Sequence, residues 1–212
     1  YLPSSPFFDS KAFEQYGIDQ RGLPEQHLWG PRDYYKSPFY TSSNAHFASE
    51  IGYHGCPSPD SLKKFISPDK LWPGRDNPEW RLHCTDPIPG INAFGYRVEL
   101  MYKQVRELFW IEPRNLKEFA LASQIVQAEA KKFFIEWFRA GKWRRTGILW
   151  WNLLDGWPQL SDAVVDYYWD KKLAFHFIKA VQQPLCLVLR EPSSWGQDLV
   201  ACNDRREDLP VE

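Results

Sequence analysis

Long apolar runs are missing from this chain. No window approaches the roughly 18 uninterrupted apolar residues of a membrane span, and the N-terminal YLPSSPFFDSK has neither the basic start nor the apolar middle of a signal peptide. No membrane partner is expected. An excess of charge is missing as well: 26 Lys+Arg stand against 27 Asp+Glu, which excludes a charge-driven hold on nucleic acid and favours small neutral ligands. Cysteine is sparse. Cys56, Cys84, Cys186 and Cys202 show no CxxC spacing, and a chain of this size needs no disulfide support. His54, Cys56, His83 and Cys84 do not follow a known zinc-ligand spacing, so no metal is expected. A GxSxG turn, a GxGxxG loop and a phosphate loop are all absent, which removes the serine-hydrolase, dinucleotide and nucleotide readings, and no cofactor is expected. What the chain does have is aromatic residues. Eleven Trp, 10 Tyr and 14 Phe against one Met call for a large core or for a sugar-type stacking surface.

The first 45 residues mix Pro, Ser, Gly and aromatics without a period and read as loop, with strands at the edges. AHFASE is a short strand. The stretch from Gly52 to Trp80 reads as a long ordered loop with at most one short helix near residues 60–66. Ile91, Phe94, Val98, Met101, Val105 and Leu108 recur at spacings of three and four, predicting a helix that halts at Pro113. A second helix is framed by Asn115, with Glu118 three residues on, and by Gly141. Leu116, Phe119, Val126, Ala130, Phe133 and Trp137 line its apolar face, which Leu121, Ile125 and Phe134 widen until it suits a sheet. TGILWWN is a continuous apolar strand, and a third helix runs from about Lys171 to Gln182. Strand, helices, strand, helix is the order of a parallel α/β sheet. After Pro184 the helical period ends, and PLCLVLRE and DLVACND are β-type segments, so a boundary falls near residue 182. The cluster Lys142 to Arg145 reads as cations at a helix C-terminus.

The apolar strand that ends in HFASEIGY finishes on a carboxylate, Glu50. By strand alternation Glu50 shares a face with Ala48, and Leu149 shares one with Trp151, while Trp150 points toward the helices. If both strands belong to a parallel barrel, Glu50 and Trp151 end at the same C-terminal rim, where such barrels build their active sites. A solvated or Arg-paired strand-end Glu is the alternative. Asp155 and Trp157 read as structural, since Asp155-Gly156 is an ordinary turn.

HFASEIGYHGCPSPDSLKKFI resembles the nucleophile strand of glycoside hydrolase family 2, in its β-mannosidase-like branch, where F-A-S-E-x-G-x…P-S recurs. GILWWNLLDGWPQLSDAVVDYYWDKKLAFHFIKA resembles the last barrel strand and helix of that branch, and LPSSP and HLWG resemble the preceding strand end and its loop. The resemblance implies the C-terminal portion of a (β/α)8 TIM barrel over residues 1–182, followed by the start of an immunoglobulin-like β-sandwich over 183–212. It puts Glu50 on the catalytic nucleophile, Trp151 on the aromatic platform under the sugar, and His27 and Trp29 on the pocket-shaping loop. It also implies a cis peptide between Trp151 and Asn152.

A retaining glycosidase needs a second carboxylate, which in this family follows an Asn on an earlier strand, and the chain contains no Asn-Glu pair. The expectation is therefore part of a retaining β-glycosidase acting on a carbohydrate substrate. A β-mannoside is favoured, with β-galactoside or β-glucuronide as runners-up, and the residues alone should be inactive. The alternative is a non-catalytic carbohydrate-binding or interaction module derived from such a barrel. With few barrel strands present, self-association or pairing with the remainder of the same polypeptide is expected.

Overall fold

The computed structural model describes residues 4–7, 10–16, 24–32, 34–84 and 95–210. Its sheet has three parallel strands, β1 (Glu25–His27), β2 (Phe47–Gly52) and β3 (Gly147–Trp151), with β2 in the centre. Around them lie α1 (Ser10–Tyr16), α2 (Pro38–Thr41), α3 (Pro59–Leu62), α4 (Pro78–Leu82), α5 (Arg97–Phe109), α6 (Leu116–Ala140) and α7 (Leu173–Val181). An antiparallel pair, β4 (Leu185–Leu189) and β5 (Leu199–Asn203), follows α7. The α/β architecture with parallel strands is the one that the order of apolar patterns predicts.

The segments read as loop contain more helix than expected. Residues 1–45 carry α1 and α2, and the stretch after Gly52 carries α3, a 3-10 turn at Pro68–Lys70 and α4 in place of a single helix near 60–66. Four of these elements begin the same way. Ser37-Pro38, Ser58-Pro59, Ser67-Pro68 and Asn77-Pro78 each put a polar cap residue in front of a proline at the first helical position. There the missing N–H is no loss and the fixed φ already suits a helix. Ser58 and Asn77 also accept hydrogen bonds from the amides of Ser61 and Glu79. The prolines that read as breakers are helix starts.

Helix α5 is described from Arg97; Ile91 and Phe94, the first positions of the predicted period, lie outside the described residues. It stops at Phe109, four positions before Pro113, where Trp110 takes a left-handed conformation at φ 58°. Helix α6 has the predicted cap: the Asn115 side chain accepts from Glu118 N at 2.9 Å, and Glu118 Oε2 accepts from Arg114 N at 3.0 Å. Its C-terminal Gly141 is not left-handed, at φ −90°. A Cβ there would lie 2.8 Å from Cδ of Arg145, so the glycine serves close packing. Arg145 is more than a cation near a helix end. Its guanidinium donates to the carbonyls of Ala45 and Ser43 and stacks over Phe138, clamping the entry to β2.

Part of the aromatic surplus goes into the core between the sheet and α5–α6. Phe119 stacks on Tyr102 at 4.2 Å between ring centroids, with Trp72 and Trp80 beside it. Tyr35, Tyr40 and Tyr53 pack on Phe133 and Phe134. Such pairs add about 0.5–1.5 kcal/mol each beyond the area they bury. Leu121, expected on this face, is exposed. The described face of α6 instead includes buried polar residues at Ser123, Gln127 and Lys131.

The β4–β5 hairpin buries Val188 and Cys202 and exposes Leu185, Leu187, Leu189 and Leu199. Ion pairs from Lys36 to Glu191 at 2.7 Å and from Arg139 and Lys142 to Asp204, both 2.9 Å, tie it to the α/β part.

Candidate active site

Strict alternation along β2 would have sent Glu50 to the same side as Ala48, and the structure departs from that expectation. Ala48 pairs with Ile148 and Ile51 with Trp150, so Ser49 and Glu50 together oppose the single residue Leu149. This is a β-bulge, and it restores both Ala48 and Ile51 to the core while leaving Glu50 on the other face, partly open. On β3 the alternation holds. Ile148 and Trp150 pack against the core, and Leu149 and Trp151 stand on the open face, 57% and 47% exposed. The Trp151-Asn152 peptide is cis, as the resemblance implies.

On that face the four residues singled out from the sequence come together. Trp29 Nε1 donates to Glu50 Oε2 at 2.7 Å, and His27 Nδ1 lies 3.3 Å from the same oxygen. A hydrogen bond to an ionised carboxylate is short and strong, so these contacts fix how the carboxylate is turned. Among the described residues Oε1 accepts none. The Trp29 and Trp151 rings meet edge to face at 6.4 Å, and Arg32 stacks over Trp29 at 4.9 Å. Gly52 makes the approach of Trp29 possible, because a Cβ there would lie 2.6 Å from the indole and 2.9 Å from Asp162 Oδ1. A cavity of about 440 Å³ runs along β1 past Glu25, His27, Trp29 and Phe39, but neither Glu50 nor Trp151 lines it. Their side of the site is the bare face of the sheet.

Several participants were not foreseen. Glu25 on β1 is buried and accepts from Ser5 Oγ at 2.7 Å, from Phe7 N at 3.2 Å and from Ser49 Oγ. Burial raises its pKa, but the bonds from Ser49, Ser5 and the Phe7 amide outweigh burial and hold the carboxyl below its ordinary value. Ser5 Oγ also lies 3.0 Å from His27 Nε2, which links Glu25 to the ring beside Glu50.

Behind the sheet a buried polar row on α6 holds the loops that follow the strands. Ser123 Oγ accepts from Cys56 N at 3.0 Å. Gln127 Nε2 donates to the carbonyls of Tyr53, Asp162 and Ala163 at 3.0–3.2 Å. Lys131 Nζ donates to the carbonyl of Trp151. Their spacing of four was the available signal, since residues four apart lie together on one helix face. Beside the row Asp162 Oδ2 lies 3.3 Å from His54 Nε2, and Arg32 Nη1 lies 3.2 Å from that nitrogen and 3.8 Å from Asp162 Oδ1. Burial would raise Asp162, but His54, Lys131 and Arg97 hold it well below the usual carboxylate range. Burial lowers His54.

Asp155 is structural in this setting, accepting from Ser161 Oγ at 2.5 Å and Gln159 Nε2 at 2.9 Å. Trp157 stacks on His83 at 5.3 Å. His83 Nδ1 lies 2.7 Å from the carbonyl oxygen of Pro158. Cys56 and Cys84 are buried free thiols, both raised by burial, Cys84 to about 12. Among the described residues no group of three or more His, Cys, Asp and Glu is placed to hold a metal.

No family model matches the chain. A β-mannosidase of Bos taurus is 29% identical over 152 residues, 68% of this chain and 17% of that protein. The crystal structure of β-D-mannosidase from Dictyoglomus thermophilum superposes with a TM-score of 0.74 at 26% identity, over 87% of this chain and 22% of that one. The chain is related to the β-mannosidase-like branch of glycoside hydrolase family 2. β-Mannosidase B of Aspergillus terreus extends the relationship over 206 residues, 92% of this chain, at 25% identity. The chain spans between 17% and 22% of the length of these relatives.

Proposed function

We propose that these residues are the C-terminal part of the catalytic domain of a retaining β-glycosidase, with Glu50 as the nucleophile. In this reading residues 1–182 are a portion of a (β/α)8 barrel and residues 183–212 begin an immunoglobulin-like β-sandwich. The observation that carries it is the convergence of Trp29 and His27 on Oε2 of Glu50 at the end of the central parallel strand. A nucleophilic carboxylate must stay ionised and must be held with one oxygen toward the anomeric carbon. The Trp29 N–H stabilises the charge on Oε2 and leaves Oε1 for attack. Trp151, half-exposed and in edge contact with Trp29, offers a flat apolar face to a sugar ring.

The reaction also needs a proton donor about 5–5.5 Å from the nucleophile, with a pKa raised toward neutrality. Among the described residues Glu25 is the carboxylate that Ser5 joins to the His27 ring, and it is unsuited. Its oxygens accept from Ser5, Ser49 and the Phe7 amide, and its pKa is shifted downward, which favours the ionised form. In the family that the sequence resembles the acid/base Glu follows an Asn on an earlier strand, and with no Asn-Glu pair in the sequence the residues alone are expected to be inactive. The three-stranded sheet, with β1 and β3 at its edges, has the edges onto which the remaining barrel strands would pair. A terminal β-mannoside is the favoured substrate, since the named relatives are β-mannosidases.

The test joins the chain to the rest of its barrel and compares Glu50 with Glu50→Gln. Turnover of an aryl β-mannoside should fall by several orders of magnitude, and a 2-fluoro-mannoside trap should label Glu50. Labelling of another carboxylate, or near-normal activity of the variant, overturns the assignment.

A further inference from the structure

Within the polar row of α6, Lys131 stands apart. Ser123 and Gln127 are neutral and bond to loop backbone, whereas Lys131 is a fully buried lysine. Taking an ammonium out of water costs several kcal/mol even after relaxation, and a methionine would fill the same space without that cost. One neutral carbonyl does not offset the penalty. The remaining compensation comes from Asp162 across the row, while Lys172, in the loop before α7, opposes it. Asp162 in turn faces His54, Arg32 and Arg97. From β3 the neighbours are Trp150, whose ring lies 5.5 Å from the ammonium, and the Trp151 carbonyl that accepts its hydrogen bond.

That acceptor is the informative part. The carbonyl belongs to the residue whose indole stands on the open face beside Trp29, so the lysine reaches the site from behind, through the main chain. We infer that Lys131 is a positioning residue: its ammonium anchors the Trp151 carbonyl at the end of β3 and thereby sets where the Trp151 indole sits. The functional consequence rests on reading Trp151 as the sugar platform. Asp162 then serves both aromatic rings, through Lys131 to Trp151 and through Arg32 to Trp29. Burial pushes Lys131 down to about 7, so the anchor weakens as the solution passes from mildly acidic to mildly alkaline.

The experiment labels the chain with 5-fluorotryptophan and with [ε-13C]lysine, assigns the indole by Trp151→Phe, and follows both nuclei by NMR from pH 5 to 9. A His27→Gln background removes the imidazole beside Glu50 and Trp29. The expected result is one midpoint near 7 shared by Lys131 Cε and the Trp151 fluorine, with the fluorine inflection lost in Lys131→Met. If Lys131 titrates near the ordinary lysine value of about 10.4, the ammonium persists across the range, and a Trp151 fluorine left unmoved by Lys131→Met then overturns the inference. It is equally overturned if the Trp151 signal ignores the Lys131 midpoint, a result readable in the unsubstituted chain should Lys131→Met fail to fold. Methyl β-mannoside, added at each end of the titration to the chain joined to the rest of its barrel, separates the two readings. A sugar-induced shift at Trp151 without coupling to Lys131 rejects the positioning alone. Coupling without a sugar-induced shift supports the positioning and rejects the platform.

Discussion

Replacing Gly52 by alanine should destabilise the chain, although a glycine in a strand with ordinary φ is where alanine usually helps. The usual gain is about 0.4–1 kcal/mol, from the unfolded chain's lost freedom. Here the new Cβ would lie 2.6 Å from Cη2 and Cζ3 of Trp29 and 2.9 Å from Asp162 Oδ1, distances that real Cβ atoms do not sustain. Asp162 is buried among His54 and Arg32 and has little room to give. Trp29 is only partly buried, so the indole is the group that moves. Overpacking of this kind costs about 1–3 kcal/mol. Displacing the indole also loses its 2.7 Å hydrogen bond to Glu50, of a charged type worth about 1.5–3 kcal/mol when buried, and less here because Glu50 is partly open to water. The net expectation is a loss of about 1–3 kcal/mol. Urea unfolding gives the stability, and the indole N–H resonance of Trp29 reports the displacement. Gly156→Ala is the control, since nothing lies within 4 Å of a Cβ there. A Gly52→Ala chain as stable as its parent, with the Trp29 resonance unmoved, would refute the packing argument.

Two further outcomes can be checked by the same unfolding assay. Asn115→Ala removes the acceptor of the Glu118 amide at the start of α6 and should cost about 1 kcal/mol, whereas Asn115→Ser should recover most of it. Acid sensitivity should trace to His54, whose folded-state pKa lies below its ordinary 6.5 because of burial. The unfolded chain then binds a proton first as pH falls through that value, so stability drops with acidification, by up to about 1.4 kcal/mol per pH unit. Asp162, lowered in the folded state, adds its own loss only below its ordinary 3.8. Replacing His54 by Gln should flatten the urea midpoint between pH 6.5 and 5, and an unchanged slope would show that another group is responsible.

Much of this molecule is local in origin and could be read from the chain. The cap and apolar face of α6, the alternation of β3 around Trp150 and Trp151, and the hairpin after Pro184 each depend on neighbours a few residues away. Such patterns survive without knowledge of the fold. The Ser/Asn-Pro helix starts were equally local, and they were misread only because the same dipeptides also serve in turns. Other features belong to contacts between distant segments. The bulge at Ser49 and Glu50 exists because Ala48 and Ile51 must both reach the core, a demand that arises only when β2 lies between β1 and β3. The network around Glu25 joins Ser5 to β1 and β2, and nothing in the order of those residues announces it. Lys131 is 20 residues from the carbonyl it holds, and on the helix alone it looks like a cation bound for solvent. Residue type and period determined which elements form and which side chains carry chemistry. Tertiary packing decided which face Glu50 takes, and it placed a buried charge behind Trp151.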